Sequence, residues 1–254
     1  MYDHYTLCND LQEAIQSGAD RMVEAFKKCP EVPAIGFAEA KDNIVFQLVN
    51  TEQNREMLAE VPHREFQDLS IIYRWVVKVD AEGIQSTVVK NGLAEQFGVN
   101  EEQLFKLAAE NTRRIFPPCI KSMNEVLLEM FEKDGMPREI AEMMLGEMPA
   151  DRMMYVISND RGINGAISML YEDKLHSLAM ELENDLYILP SSVHEVIAVS
   201  VDMGEPYELA QMVSEINMDQ VALEERLSNQ VYHYDKDLRL SLIHISEPTR
   251  RSYI

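Results

Sequence analysis

The sequence predicts an α+β fold, with mixed and antiparallel sheets built from hairpins and packed by helices. Three observations carry this. Asp185–Asp202, DLYILPSSVHEVIAVSVD, holds two aliphatic and β-branched runs split by Pro190-Ser191-Ser192. Leu69–Val79 and Ile84–Lys90 form a second such pair across Asp80-Ala81-Glu82-Gly83. Around these pairs lie stretches of helical spacing, without the strict strand–helix–strand alternation of a parallel sheet.

The first hairpin is the clearest pattern. Leu186, Tyr187, Ile188 and Leu189 are apolar on both faces, as in a central strand covered by helices. Proline has no N–H for a ladder, and serine hydroxyls stabilise turns. The run therefore divides into strands Asp185–Leu189 and His194–Val201, with Ile188 and Val196 expected in the central sheet.

In chain order, Asp10 and Glu13 open a capping-box-like helix, whose stripe Leu11, Ile15, Met22, Val23 and Phe26 runs to Lys28. Pro30 and Pro33 end it. Ile44–Val49 is β-rich and reads as a strand, with a helix as the alternative. Glu52–Glu60 is a short helix stopped by Pro62. Asn100 caps a helix through Ile115, with Leu104, Leu107, Ala108 and Ile115 on one face and Pro117-Pro118 beyond. Ser122 or Asn124 opens another, Glu125–Phe131. Met136–Met148 is a short helix between loops, bounded by Gly135, Pro137, Gly146 and Pro149. Met153–Ser158 is a strand, Asn159–Gly162 a turn, and Ile163–Leu170 and Tyr171–Leu182 are helical. Glu205–Ile216 is a helix with Pro206 in its first turn. Asp219–Leu227 is helical, and Gln230–Tyr234 is an edge strand. The broken Met136–Pro149 segment is the expected boundary between subdomains 1–135 and 150–239.

Bulk composition bounds the function. Forty-six per cent of the 254 residues are hydrophobic, enough for a sizeable core, but no run is long and apolar enough for a membrane helix. The absence of such a run leaves no membrane partner expected, and the net charge of −21 repels a phosphate backbone, so no nucleic-acid partner is expected either. Cys8, Cys29 and Cys119 are scattered and odd in number, which suits a reducing cytoplasm and neither a disulfide framework nor a zinc site.

Both ends invite comment. Leu240–Arg250, LSLIHISEPTR, resembles the conceptual translation of a transposase-type sequencing adapter, so 240–254 is expected to be a non-native tail that adds nothing to the fold. Met1 is expected to be an internal methionine of a longer chain. The blocks NTEQNREMLAEVPHREFQDLSIIYRWVV, KSMNEVLLEM, MYVISNDRGINGA and DLYILPSSVHEVIAV resemble a family of bacterial proteins, a domain of unknown function common in anaerobic Gram-positive gut bacteria. The resemblance covers nearly all of Met1–Arg239. It implies no activity, cofactor or catalytic residue.

Candidate sites rest on chemistry alone. Ser191, Ser192, His194 and Glu195, with His63 or Asn159 nearby, are the polar groups of a hydrolase-like alternative. A nucleophilic serine needs an oriented base and backbone oxyanion donors, and no glycine elbow surrounds these serines. No metal-ligand spacing joins His63, His176, His194 and His233, so no metal and no cofactor are expected. Cys119 lacks the basic surroundings of a reactive thiol, except for Lys121. Gly162 and Gly165 in NDRGINGA suit a helix-capping turn better than an anion site. Eight of the sixteen methionines fall in Met123–Met154. Methionine adapts to irregular partners. The expected function is therefore a non-catalytic, cytoplasmic protein-binding or adaptor module, docking a partner through Met136, Met143, Met144 and Met148.

Overall fold

The computed structural model describes residues 15–21, 36–80, 83–146 and 152–245, the last six as backbone only. The chain falls into two compact units, Met1–Glu39 and Ala40–Ile254. In the first, residues 15–21 are helical, and the Gln16 amide donates to Asp20 one turn on at 3.0 Å. The remainder of the helix expected between Asp10 and Lys28 lies outside the described residues.

The second unit is α+β, with two antiparallel sheets among the described residues. The spine of the first sheet is β3 (Leu69–Asp80). The strand β1 (Ile44–Asn50) runs along one side of it, from Ile44 opposite Trp75 to Asn50 opposite Leu69. On the other side β2 (His63–Phe66) takes the first half of β3 and β4 (Gly83–Val88) the second. Leu69, Ile71, Ile72 and Tyr73 are all buried, so this half of β3 is covered on both faces, whereas Val77 and Lys78 are exposed. Between β2 and β1 in sequence lies a single helical turn, α1 (Arg55–Leu58). After β4 come α2 (Asn91–Phe97) and α3 (Glu101–Ile115). Asn100 starts α3 as expected: its side chain accepts the Gln103 N–H, and the Gln103 side chain accepts the Asn100 N–H, both at 3.0 Å. The helix is fixed to β1 by polar contacts as well as packing. Thr112 Oγ1 accepts the Phe46 N–H at 2.9 Å, and the Asn111 amide donates to the Ile44 carbonyl at 3.0 Å.

The second sheet contains β5 (Pro118–Ser122), β6 (Tyr155–Asn159), β7 (Leu186–Leu189), β8 (Val196–Ser200), β9 (Val231–Asp235) and β10 (Leu240–Ile245) in the order β10-β9-β7-β8-β6-β5. The predicted hairpin is its middle pair, with Ile188 opposite Ala198. Ile188 and Val196 are fully buried. The helices α4 (Met123–Lys133) and α5 (Arg138–Leu145) lie in sequence between β5 and β6, and α6 (Glu172–Glu181) and α7 (Pro206–Gln220) follow. Ser122, not Asn124, caps α4, through a capping box with Glu125. Leu209 and Val213 of α7 close over Leu189, Val199 and Val231 of the sheet.

Several expectations are corrected. The division at Met136–Pro149 does not separate two sheets, because β5 before it pairs with β6 after it, Ile120 opposite Ile157. The segment is an excursion between neighbouring strands. Asp219–Leu227 is not a helix. Val221 is extended and only Leu223–Glu225 forms a helical turn, because Arg226 and Leu227 are strapped to the hairpin turn. Gln230–Tyr234 is not an edge. Leu240–Ile245 pairs outside it, Ile243 opposite His233, so the expectation of a tail with no part in the fold is corrected for these six residues. The physical reason is local: an open strand edge accepts an extended apolar segment through backbone groups, whatever that segment's origin. Other elements escaped the pattern reading. His63–Phe66 is polar, Pro118–Ser122 begins with proline at the first position of an edge strand, and Asn91–Phe97 is short and closed by Gly98 at φ 67°.

Buried tyrosines make the fold sensitive to alkali. Burial pushes the phenols of Tyr171 and Tyr234 up to about 12, and it raises those of Tyr73 and Tyr232 too. Hydrogen bonds donated to Glu101 by Tyr73 and to Asp68 by Tyr232 act in the same direction. The unfolded chain releases these protons near pH ~10, the folded chain only above it, so stability is present below that pH and falls as pH rises. The urea midpoint is expected to decline steadily from about pH 10 to about pH 12; a flat profile there contradicts this reading.

Candidate functional site

Two of the motifs singled out in the sequence meet in space. Asn159, the last residue of β6, closes the loop that follows it. Its side-chain oxygen accepts the Arg161 N–H at 3.0 Å, and its amide donates to the Ile163 carbonyl at 2.8 Å. Gly162 at φ 65° and Asn164 at φ 53° let the chain double back. The returning backbone lands on the turn between β7 and β8. Gly165 N–H donates to the His194 carbonyl at 3.0 Å, Ala166 N–H to Val193 at 3.2 Å, and the Ser158 hydroxyl to the same His194 carbonyl at 2.7 Å. NDRGINGA and PSSVHE thus form one node.

The His194 ring is engaged at both nitrogens. Nδ1 accepts the Asn164 N–H at 3.2 Å, which leaves the ring proton on Nε2, 3.3 Å from Glu225. The Ser192 hydroxyl accepts the His194 backbone N–H at 3.0 Å, so its contact is with the main chain and not with the ring. His63 stands in the other sheet, on β2, its Nδ1 3.0 Å from the Val61 carbonyl. The hydrolase-like set is therefore divided: Asn159, Ser192 and His194 build the node, Ser191 and Glu195 turn to a cavity beside it, and His63 belongs elsewhere.

That cavity has a volume of about 460 Å³. Met123, Met154, Leu189, Ile197, Met212 and Ile216 form an apolar floor, and Ser191, Ser192, Glu195, Gln220 and Glu225 supply its polar groups. Met212, Ile216 and Gln220 recur at i, i+4 and i+8, a second row on α7 beside the buried Leu209–Val213 row. Sequence reasoning passed over this row and Glu225. The signal was there: YELAQMVSEINMDQ carries an apolar band wider than one stripe needs.

The methionines chosen from the sequence lie apart from the cavity. Met143 and Met144 of α5 are 78% and 64% exposed, and Ile140, on the same face, is 46% exposed. Ala141 is buried and forms the inner side. Met130 on α4 is 54% exposed as well. Met136 is half-buried, and Met148 lies outside the described residues. Arg138 holds Glu142 at 2.9 Å and Glu132 at 3.5 Å beside this face. Among the described residues no three His, Cys, Asp or Glu side chains are grouped to hold a metal ion. No helix among them is long and apolar enough to cross a membrane.

One family, a family of unknown function, matches residues 1–236. The chain belongs to DUF5688. The match spans the node, the cavity and the exposed face of this DUF5688 chain alike. No curated protein and no solved structure matches the DUF5688 sequence.

Proposed function

We propose that this protein is a cytoplasmic, non-catalytic docking module that holds a basic amphipathic helix of a protein partner against α5. The observation that supports it most is the exposure of Ile140, Met143 and Met144 together. They stand at i, i+3 and i+4, a spacing that sets three apolar side chains side by side on one helix face. A protein interior would bury such residues, whereas a helix-in-groove or helix-on-helix contact uses them as anchors. Methionine's flexible thioether suits a partner whose side chains are not fixed in advance. Charge selects the partner. From Lys121 to Gly146 the acids Glu125, Glu129, Glu132, Asp134, Glu139 and Glu142 outnumber Lys121, Lys133 and Arg138. A segment with Lys or Arg flanking its apolar stripe meets opposite charge at the rim. The scattered cysteines support the cytoplasmic setting, and the overall acidity disfavours nucleic acid.

The test uses three synthetic helices of one apolar face and different flanks: basic, neutral and acidic. The basic helix is expected to bind the intact chain, the neutral one more weakly, and the acidic one least, with the preference fading at high salt. The double variant Met143→Glu, Met144→Glu is expected to lose binding at least about tenfold while its thermal midpoint stays within about 2 °C, as befits exposed positions. Equal binding by the variant, or indifference to the flanking charge, overturns the proposal.

A further inference from the structure

The cavity between the β7–β8 turn and α7 carries a second, separate inference. We propose that it is a binding site for a small alkylammonium ligand, an apolar chain ending in a protonated amine. Size and lining set the apolar part. A cavity of about 460 Å³ with Met123, Met154, Met212 and Ile216 on its walls lies in the range that small-molecule sites occupy. Three of these four are methionines, so the walls accommodate a linear chain without a single required shape.

The polar rim sets the head group. Glu195 and Glu225 both border the cavity, and among the described residues no Lys or Arg does. Arg226, next in sequence to Glu225, is turned away: its guanidinium donates to the carbonyls of Val221 at 2.9 Å and Met218 at 3.2 Å, capping the end of α7. Among the described residues the Glu225 carboxylate has one contact, the Nε2–H of His194 at 3.3 Å, which is a long one. Glu195 has no ion-pair or hydrogen-bond partner among the described residues, and neither do the Ser191 hydroxyl and the Gln220 side-chain amide. An ammonium group has three N–H donors and no acceptor, and these are acceptors around an apolar opening. A carboxylate ligand meets repulsion here, and an alcohol offers the exposed Glu195 only a neutral donor where an ammonium offers a charged one.

The experiment follows the methyl signals of ¹³C-methionine in the full chain during titration with octylamine, octanol and octanoate. Octylamine is expected to shift Met123, Met154 and Met212 and to leave Met143 and Met144 unmoved. Its affinity is expected to exceed that of octanol by about tenfold, the worth of a charge-assisted hydrogen bond, with octanoate weaker still. Glu195→Gln should bring octylamine and octanol close together while the spectrum of the free protein is preserved. Ile216→Lys, at a half-exposed position, should place an ammonium in the cavity and abolish octylamine binding. A basic peptide supplies the same ammonium from lysine. If it shifts the three cavity methionines more strongly than octylamine does, the site belongs to a peptide and the small-ligand proposal falls. It falls too if octanoate matches octylamine, or if no probe moves these methyls. None of these results touches the α5 face, whose readout is Met143 and Met144.

Discussion

Gly165→Ala is expected to cost about 5 kcal/mol, at the upper end of what a single change costs. An added Cβ at this position stands 2.1 Å from the Ser158 hydroxyl, 2.6 Å from the His194 carbonyl and 2.7 Å from the Asn159 nitrogen. Carbon cannot approach these atoms so closely. The hydroxyl can swing away, but the other two are backbone atoms of β6 and of the hairpin turn. Relief therefore requires the loop after β6 to lift off the turn. Lifting it breaks the bonds from Gly165 to His194 and from Ala166 to Val193, and releases the Asn164 contact with the His194 ring. Overpacking costs about 1–3 kcal/mol and each lost bond about 1 more. At roughly 2–4 °C per kcal/mol for a chain of this size, the thermal midpoint should fall by about 15 °C. Ser158→Ala combined with Gly165→Ala removes the worst contact and is expected to recover only a minor part. A single Gly165→Ala variant with an unchanged midpoint would show that the loop does not pack on the turn as described.

The elements that were legible in the sequence are those whose residues answer to local rules. The β7–β8 hairpin follows from Pro190 and two aliphatic runs, and α3 starts at Asn100 because the cap and Gln103 satisfy each other. What was not legible depends on partners distant in the chain. Nothing local says that Gly165 must be glycine for want of space, since its backbone conformation alone does not demand it. The excursion α4–α5 looks like a domain boundary in sequence because glycine and proline break it, yet the strands on either side are neighbours. The candidate sites show the same division. The methionines were chosen by composition, and of the four Met143 and Met144 are exposed while Met136 is half-buried. The cavity was half found: Ser191 and Glu195 were named as polar candidates, but the apolar floor under them comes from α4, α7 and Met154, brought together only by the sheet. His63 was joined to this group without a structural basis, because chemistry in a list of residues carries no distance.

Asp68→Ala is expected to cost about 3 kcal/mol, through loss of the carboxylate to which two hydroxyls donate. Asp68 lies in the turn between β2 and β3, in the first sheet, and follows Gln67 at φ 57°. Its carboxylate reaches the second sheet. One oxygen accepts from the Ser228 hydroxyl at 2.6 Å and the other from the Tyr232 hydroxyl. The Asn50 amide donates to the Leu227 carbonyl at 2.8 Å beside this contact, so the two sheets are pinned here by polar groups and not by apolar packing alone. Tyr232 is fully buried and Ser228 nearly so. A hydrogen bond to a charged group contributes about 1.5–3 kcal/mol, and Asp68→Ala removes two at once, while the Ser228 hydroxyl stays a partner of Tyr232. Asp68→Asn keeps one oxygen as acceptor and should cost about half as much. Tyr232→Phe removes one of the donors together with its need for a partner. In the double variant Asp68→Ala, Tyr232→Phe the losses should therefore fall short of additive by about 1–2 kcal/mol, measured by urea unfolding of all four chains. Strict additivity would mean that the carboxylate and the phenol do not act on each other. A cost below about 0.5 kcal/mol for Asp68→Ala, the scale of a plain surface change, would mean that the sheets are held together without this pin.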